Sequence, residues 1–256
     1  MNMETEFLKI KNVRLALQKA IDKNELLSDF VDKKPVDTPL LDLDQSKWEY
    51  QYNIDEARGA LKDTGFLYAE SDVEKTGVRY NADKKALELR LIVRLYPQGS
   101  QLYEDTEQIV AFLQQAWEKV GFQISVEFLY AEEFEDKMMK RDYDLLLIGQ
   151  NLGYNLDTYA FWHSTQANPN GQNFSNYKSF AVDSLIIDLR ETFDSQKKQD
   201  KLNELAKQIR EDFPAIFLYR PVYYYVSDGK IKGINMDGIV FPSDRFTGMS
   251  AWEFDK

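Results

Sequence analysis

Leu87-Glu88-Leu89-Arg90-Leu91-Ile92-Val93-Arg94-Leu95 sets apolar residues at every odd position and charged ones at most even positions. A period of two marks a half-buried strand. Pro97-Gln98-Gly99-Ser100 turns the chain, and the period then lengthens. Ile109, Phe112, Leu113, Ala116, Trp117 and Val120 share one face of a helix over residues 102–120, and Gly121 stops it. Residues 122–129 form a second strand, with Phe122, Ile124, Val126 and Phe128 on one face. Residues 131–140 form a short helix carrying Phe134, Met138 and Met139, its start favoured by Glu132-Glu133. Residues 143–148 are a third strand, so apolar that burial on both faces is expected. Strands alternating with helices in this way specify an α/β fold, a parallel sheet with right-handed crossovers. Such sheets bind ligands beyond the carboxyl ends of their strands, so function is sought first after Gly149.

Working outward, residues 13–32 read as an amphipathic helix that Lys33-Lys34-Pro35 ends. Residues 35–51 are a loop, and Asn53 caps a helix from Ile54 to Thr64 that Gly65 closes. Residues 67–85 are polar and irregular. Downstream, residues 149–180 form a long loop rich in Asn, Gln, Tyr and Trp, followed by helices over 181–193 and 196–211. Residues 215–226 are strongly β-prone, and Asp228-Gly229 is a hairpin turn into 230–234. Residues 235–256 show no period.

Composition narrows the function. The 256 residues hold 32 Lys+Arg against 43 Asp+Glu, a net charge of −11. Phosphate binding needs a surplus of the opposite sign, which argues against a nucleic-acid or anionic-membrane partner. With Cys absent and His163 the single histidine, disulfides, thiolate chemistry and multi-His metal sites are excluded. No cofactor is expected. The first residues show neither a basic stretch nor an apolar run, so no signal peptide is expected here, and no run approaches the ~20 apolar residues of a membrane span.

The candidate site is the loop at 149–162, with Gln150, Asn151, Gly153, Tyr154, Asn155, Asp157 and Tyr159 as ligand-facing residues. Tyr supplies flat contact area, and Asn and Gln supply both donors and acceptors. The competing reading is a surface loop packed by its own aromatics. Tyr223, in Tyr223-Tyr224-Tyr225, is a further candidate; sheet packing is the alternative. His163, Asn173 and Tyr177 read as groups that pin the loop rather than act on a substrate. Asp42-Leu43-Asp44-Gln45-Ser46 lacks the Gly and Glu that an EF-hand loop requires. Acid pairs such as Glu132-Glu133 and Asp142/Asp144 admit a rival, an acidic hydrolase working by paired carboxylates. An interaction domain without a small-molecule site is the third possibility.

Several segments together resemble the bacterial extracellular solute-binding proteins of family 5, the dipeptide, oligopeptide and nickel receptors of ABC importers. The segment from Val13 to Lys23 is similar to that family's "vRqAl..aiDr" helix, and the segment from Tyr52 to Phe66 to the element ending in "eAGf". Trp117-Glu118-Lys119-Val120-Gly121-Phe122 is similar to "WkkiGi". Phe161-Trp162-His163-Ser164-Thr165-Gln166, with Asn173, Tyr177 and Asp183-Ser184-Leu185-Ile186, resembles the following loop and helix, and Phe213-Pro214-Ala215-Ile216-Phe217-Leu218-Tyr219 the closing segment. The order and spacing of these matches over residues 10–225 make the set specific. The resemblance covers the C-terminal half of a family member. It implies one lobe of a type II periplasmic-binding-protein fold, with helices on both faces of a mainly parallel sheet, over residues 1–213. A β-rich crossover segment over 214–256 would return toward a missing N-terminal lobe. It also implies non-catalytic capture of an oligopeptide or similar solute for ABC permease subunits, by a periplasmic or extracellular membrane-anchored protein. One departure stands out. Where peptide binders of the family carry the acid of "GWxxD" that pairs with the peptide ammonium, this chain has Gly153, and Asp157 lies four residues on. The same reading expects the β-prone edge at 222–226 to invite a dimer.

Overall fold

The computed structural model describes residues 1–236 and 239–254; Asp237, Gly238, Asp255 and Lys256 of the predicted crossover segment lie outside the described residues. Two helices, α1 (Lys11–Lys19) and α2 (Lys23–Leu26), stand where one was expected over 13–32. The break is chemical: Asp22 adopts extended backbone, and its carboxylate accepts from the Asn24 and Glu25 N–H groups, starting a new helix. Lys33-Lys34-Pro35 is not a helix end but a strand, β1 (Lys33–Pro35). Helix α3 (Ile54–Asp63) begins as expected, with the Asn53 side chain accepting from Glu56 N–H. The stretch read as irregular holds a small antiparallel ribbon of β2 (Leu67–Tyr68) and β3 (Arg79–Tyr80). Buried Arg79 anchors it by donating to the carbonyls of Val120 and Phe66. Gly121 sits at φ +104 beside it, where a Cβ would meet Arg79 Cγ at 2.5 Å.

The deciding stretch folds as read. Strand β4 (Glu88–Arg94), helix α4 (Gln101–Glu118), strand β5 (Gln123–Leu129), helix α5 (Ala131–Lys140) and strand β6 (Leu145–Leu147) form a sheet ordered β5–β4–β6, parallel throughout. Leu89, Leu91, Val93, Ile124 and Leu145 pack with α1, α3 and α4 in the principal core. Ile92, Leu129, Phe134 and Tyr143 pack on the other side with Met138 and Leu146, beneath α5. The result is three layers, helix–sheet–helix. Two burial expectations change. Phe128 is exposed near the end of β5, and β6 is an edge strand among the described residues, with Leu146 and Leu147 half-buried and Ile148 exposed. A strand paired on one side cannot be covered as a central one is.

Helices α6 (Tyr159–Trp162), α7 (Phe180–Glu191) and α8 (Ser195–Asp212) build a second core with Leu40, Leu43 and Tyr177. Arg14 of α1 binds the two regions together by donating to the Leu8 and Lys9 carbonyls and to those of Asp212 and Phe213 at the end of α8. Strand β7 (Tyr219–Pro221) pairs antiparallel with β1. The hairpin expected at Asp228-Gly229 does not form. Strand β8 (Ile231–Lys232) pairs instead with β9 (Glu253–Phe254), and residues 222–226 are not a strand. Val222 N–H donates to the Asp32 carbonyl and the Tyr224 hydroxyl to that of Val31, so this segment stays with the β1 edge rather than folding back.

Candidate functional site

The loop after β6 is shaped by its own polar side chains. Asn151 Oδ1 accepts from Gly153 N–H at 2.9 Å, Asn155 Oδ1 from Asp157 N–H at 3.3 Å, and Asp157 Oδ1 from Tyr159 N–H at 3.0 Å. These are Asx-type turns, in which a short side chain replaces a backbone acceptor. Gly153 and Leu156 both sit at positive φ, +68 and +51.

Asp157 is anchored. Its Oδ2 accepts from Arg190 Nε at 3.0 Å and Nη2 at 2.6 Å, a fork from α7. The same guanidinium lies over the Tyr159 ring at 4.3 Å, and that ring stacks on His163 at 4.4 Å. His163 Nδ1 accepts from Thr165 N–H at 3.2 Å. Fully buried Asn173 donates to the His163 and Tyr177 carbonyls and accepts from Tyr177 N–H and the Ser175 hydroxyl. His163, Asn173 and Tyr177 therefore pin the loop, as their types suggested.

Tyr154 stands at the tip of the loop, 67% exposed. Its hydroxyl donates to Asp244 Oδ1 at 2.8 Å, and its ring meets Phe241 edge-on at 5.6 Å. That hydrogen bond pushes the Tyr154 phenol up from its ordinary value. Donation from the Phe241 and Val240 N–H groups and from Tyr154 holds the Asp244 carboxyl down. Gln150 lies on a small recess of about 50 Å³ that opens to solvent and is lined also by Leu146, Phe161, Trp162 and Phe174. The Trp162 indole N–H is buried there with no hydrogen-bond partner among the described residues. Tyr223 is not brought to the loop directly; its hydroxyl accepts from Arg245, the neighbour of Asp244. Sequence reasoning missed Arg190 and Asp244. Arg190 carried no signal beyond a charge on a helix, and Asp244 lies in the stretch without a period.

Of the rival reading's carboxylates, Asp142 and Asp144 are both engaged by Arg90. Asp142 pairs with Arg90, which holds its carboxyl below the ordinary value, the opposite of what a general acid needs. Asp144 Oδ2 accepts from Arg90 N–H. Asp44, of the stretch that lacks the EF-hand Gly and Glu, caps a 3₁₀ turn through Ser46. Among the described residues no group of three or more His, Asp and Glu is placed to hold a metal ion, and no helix is long and apolar enough to cross a membrane.

A sequence model of the bacterial extracellular solute-binding proteins, family 5 Middle, matches residues 1–173. The oligopeptide-binding protein AppA of Bacillus subtilis (strain 168) is 25% identical over 246 residues, which is 91% of this chain and 42% of the relative. The structure of AppA in complex with a nonapeptide superposes with a TM-score of 0.76 at 23% identity, over 100% of this chain and 49% of that one. NikZ from Campylobacter jejuni, in complex with Ni(L-His), gives a TM-score of 0.76 at 22% identity, over 99% of this chain and 50% of that one. The chain thus spans about half the length of the relatives it matches.

Proposed function

The chain belongs to the bacterial extracellular solute-binding proteins of family 5, and from that premise we propose that it forms one wall of a two-walled solute site. The whole protein captures an oligopeptide-like or other small solute outside the membrane, without catalysis, and passes it to ABC permease subunits. Residues 1–213 act as the second lobe, and residues from 214 onward lead back toward the N-terminal lobe that supplies the facing wall. The full-length protein is periplasmic or extracellular and membrane-anchored. The observation that carries this reading is the placement of the Asn-, Tyr- and Gln-rich loop at 149–162 immediately beyond the carboxyl end of β6, at the ligand-binding edge of a parallel sheet.

Residue chemistry refines the ligand. Gly153 brings no carboxylate to the position where peptide binders carry one, and Asp157 is neutralised by Arg190. Recognition therefore rests on Gln150, Asn151, Tyr154, Asn155 and Tyr159 rather than on a charge for the peptide ammonium. The two similar structures carry a nonapeptide and Ni(L-His), so closely similar frames take different solutes.

A single wall makes about half the contacts. Halving a micromolar interaction of roughly −8 kcal/mol leaves roughly −4 kcal/mol, a millimolar affinity. Titration of this chain with short peptides, followed by backbone NMR shifts, is expected to saturate only in the millimolar range, with shifts confined to residues 150–159. A sub-micromolar constant, or shifts that avoid the loop, overturns the reading. Self-association through the exposed C-terminal segment is a further part of this proposal; Tyr223, Val226, Phe246 and Phe254 are among its exposed apolar groups.

A further inference from the structure

From residue 222 onward none of the described residues is buried, yet this segment reaches the candidate loop at a defined place. Asp244 uses both carboxylate oxygens. Oδ2 accepts from Val240 N–H at 3.0 Å and Phe241 N–H at 2.8 Å, closing its own turn, while Oδ1 accepts from the Tyr154 hydroxyl at 2.8 Å. Phe241, held by that turn, lies edge-on to the Tyr154 ring at 5.6 Å. On the other side, the Asn151 and Asn155 turns and the positive φ of Gly153 and Leu156 raise Tyr154 out of the loop. One charge-assisted hydrogen bond and one ring contact thus fasten two segments far apart in sequence. Tyr154 is exposed and Asp244 only half-buried, and a contact so open to water is weak enough to open readily.

We propose that the turn at 240–244 is a latch over the candidate loop: Asp244 and Phe241 engage Tyr154, and a solute that takes the Tyr154 hydroxyl or ring must first displace them. Closed, the latch orders the loop and the C-terminal segment together; open, it presents Tyr154. Its role in solute capture rests on the function proposed above, whereas its existence as a mechanical coupling does not.

Hydrogen exchange on the ligand-free chain tests the coupling. Y154F removes the hydroxyl and keeps the ring, so folding is not at stake; D244N and the double variant complete a cycle. Each single variant is expected to speed exchange about fivefold in both segments, residues 151–157 and 240–246, with the double variant no faster than Y154F over 151–157 and no faster than D244N over 240–246, where D244N also weakens the turn that Asp244 closes. Exchange in α7 and α8 stays unchanged. Acceleration confined to the segment that carries the substitution, additive effects in the double variant, or no acceleration overturns the latch. Because no solute is present, exchange reads the latch alone; the peptide titration above tests the proposed function, and either can fail while the other stands.

Discussion

At the scale of single residues, the most consequential side chains serve the backbone. Arg14 is almost fully buried, and burial draws its guanidinium below its usual basicity, with the Asp212 charge opposing. Its planar fork spans carbonyls at Leu8, Lys9, Asp212 and Phe213, a reach that an ammonium cannot reproduce. Arg14→Lys is therefore expected to cost about 2 kcal/mol in urea denaturation, with the folded spectrum retained. Asn173 satisfies four polar groups of the loop that precedes α7. Asn173→Ala leaves buried carbonyls unmet and is expected to lower stability by about 2–3 kcal/mol, read as a fall in Tm of several degrees. Loop-pinning was legible from residue type at His163, Asn173 and Tyr177. The partners of Asp157 and Tyr154 were not, because Arg190 lies 33 positions and Asp244 90 positions away. A pairing over such a separation has no local signature.

At the scale of elements, caps and periods decided what the sequence revealed. The β4–α4–β5–α5–β6 run was readable because each element carries its own period and its own stop, such as the Ser100 cap on Tyr103 N–H and the left-handed Gly121. The break between α1 and α2 was hidden because apolar spacing continues through it, and only the Asp22 cap reveals it. Strand β1 was hidden because its partner is β7, at the opposite end of the chain. An ion pair ties β1 to α4: buried Lys33 meets Asp105. Burial works against the Asp105 charge, but hydrogen bonds from Lys33 and Gln101 outweigh it and hold the carboxyl below 3.8. Burial likewise opposes the Lys33 charge, and Asp105 and Asp32 outweigh it, so this ammonium is raised above 10.5. The signs fix the pH profile. A depressed carboxyl contributes stability that is complete above its ordinary value and lost as pH falls through its folded value; a raised ammonium contributes stability complete below 10.5 and lost only above it. Denaturation midpoints are expected to stay level between roughly pH 5 and 9 and to fall below about pH 4. Asp105→Asn is expected to lower the plateau and flatten part of the acid limb.

At the scale of the whole molecule, Arg14 joins the principal core to the core of α6, α7 and α8, while none of the described residues after 222 is itself buried. That segment carries exposed Tyr224, Val226, Phe246, Met249 and Phe254. Sedimentation equilibrium is expected to show concentration-dependent dimers that weaken when Val226 and Phe254 are changed to Ser; a monomer at every concentration removes the self-association part of the proposal. The amino acids by themselves determined the α/β class, the parallel run of strands and helices, the family and the loop where a solute is sought. Each of these is written in short-range periods, caps and motif spacing. Only the tertiary structure decided that β6 is an edge, that β1 pairs with β7, that Arg190 neutralises Asp157 and that Asp244 holds Tyr154. These contacts join residues distant along the chain, and their free energy exists only once the helix–sheet–helix layers have brought the partners within hydrogen-bonding reach.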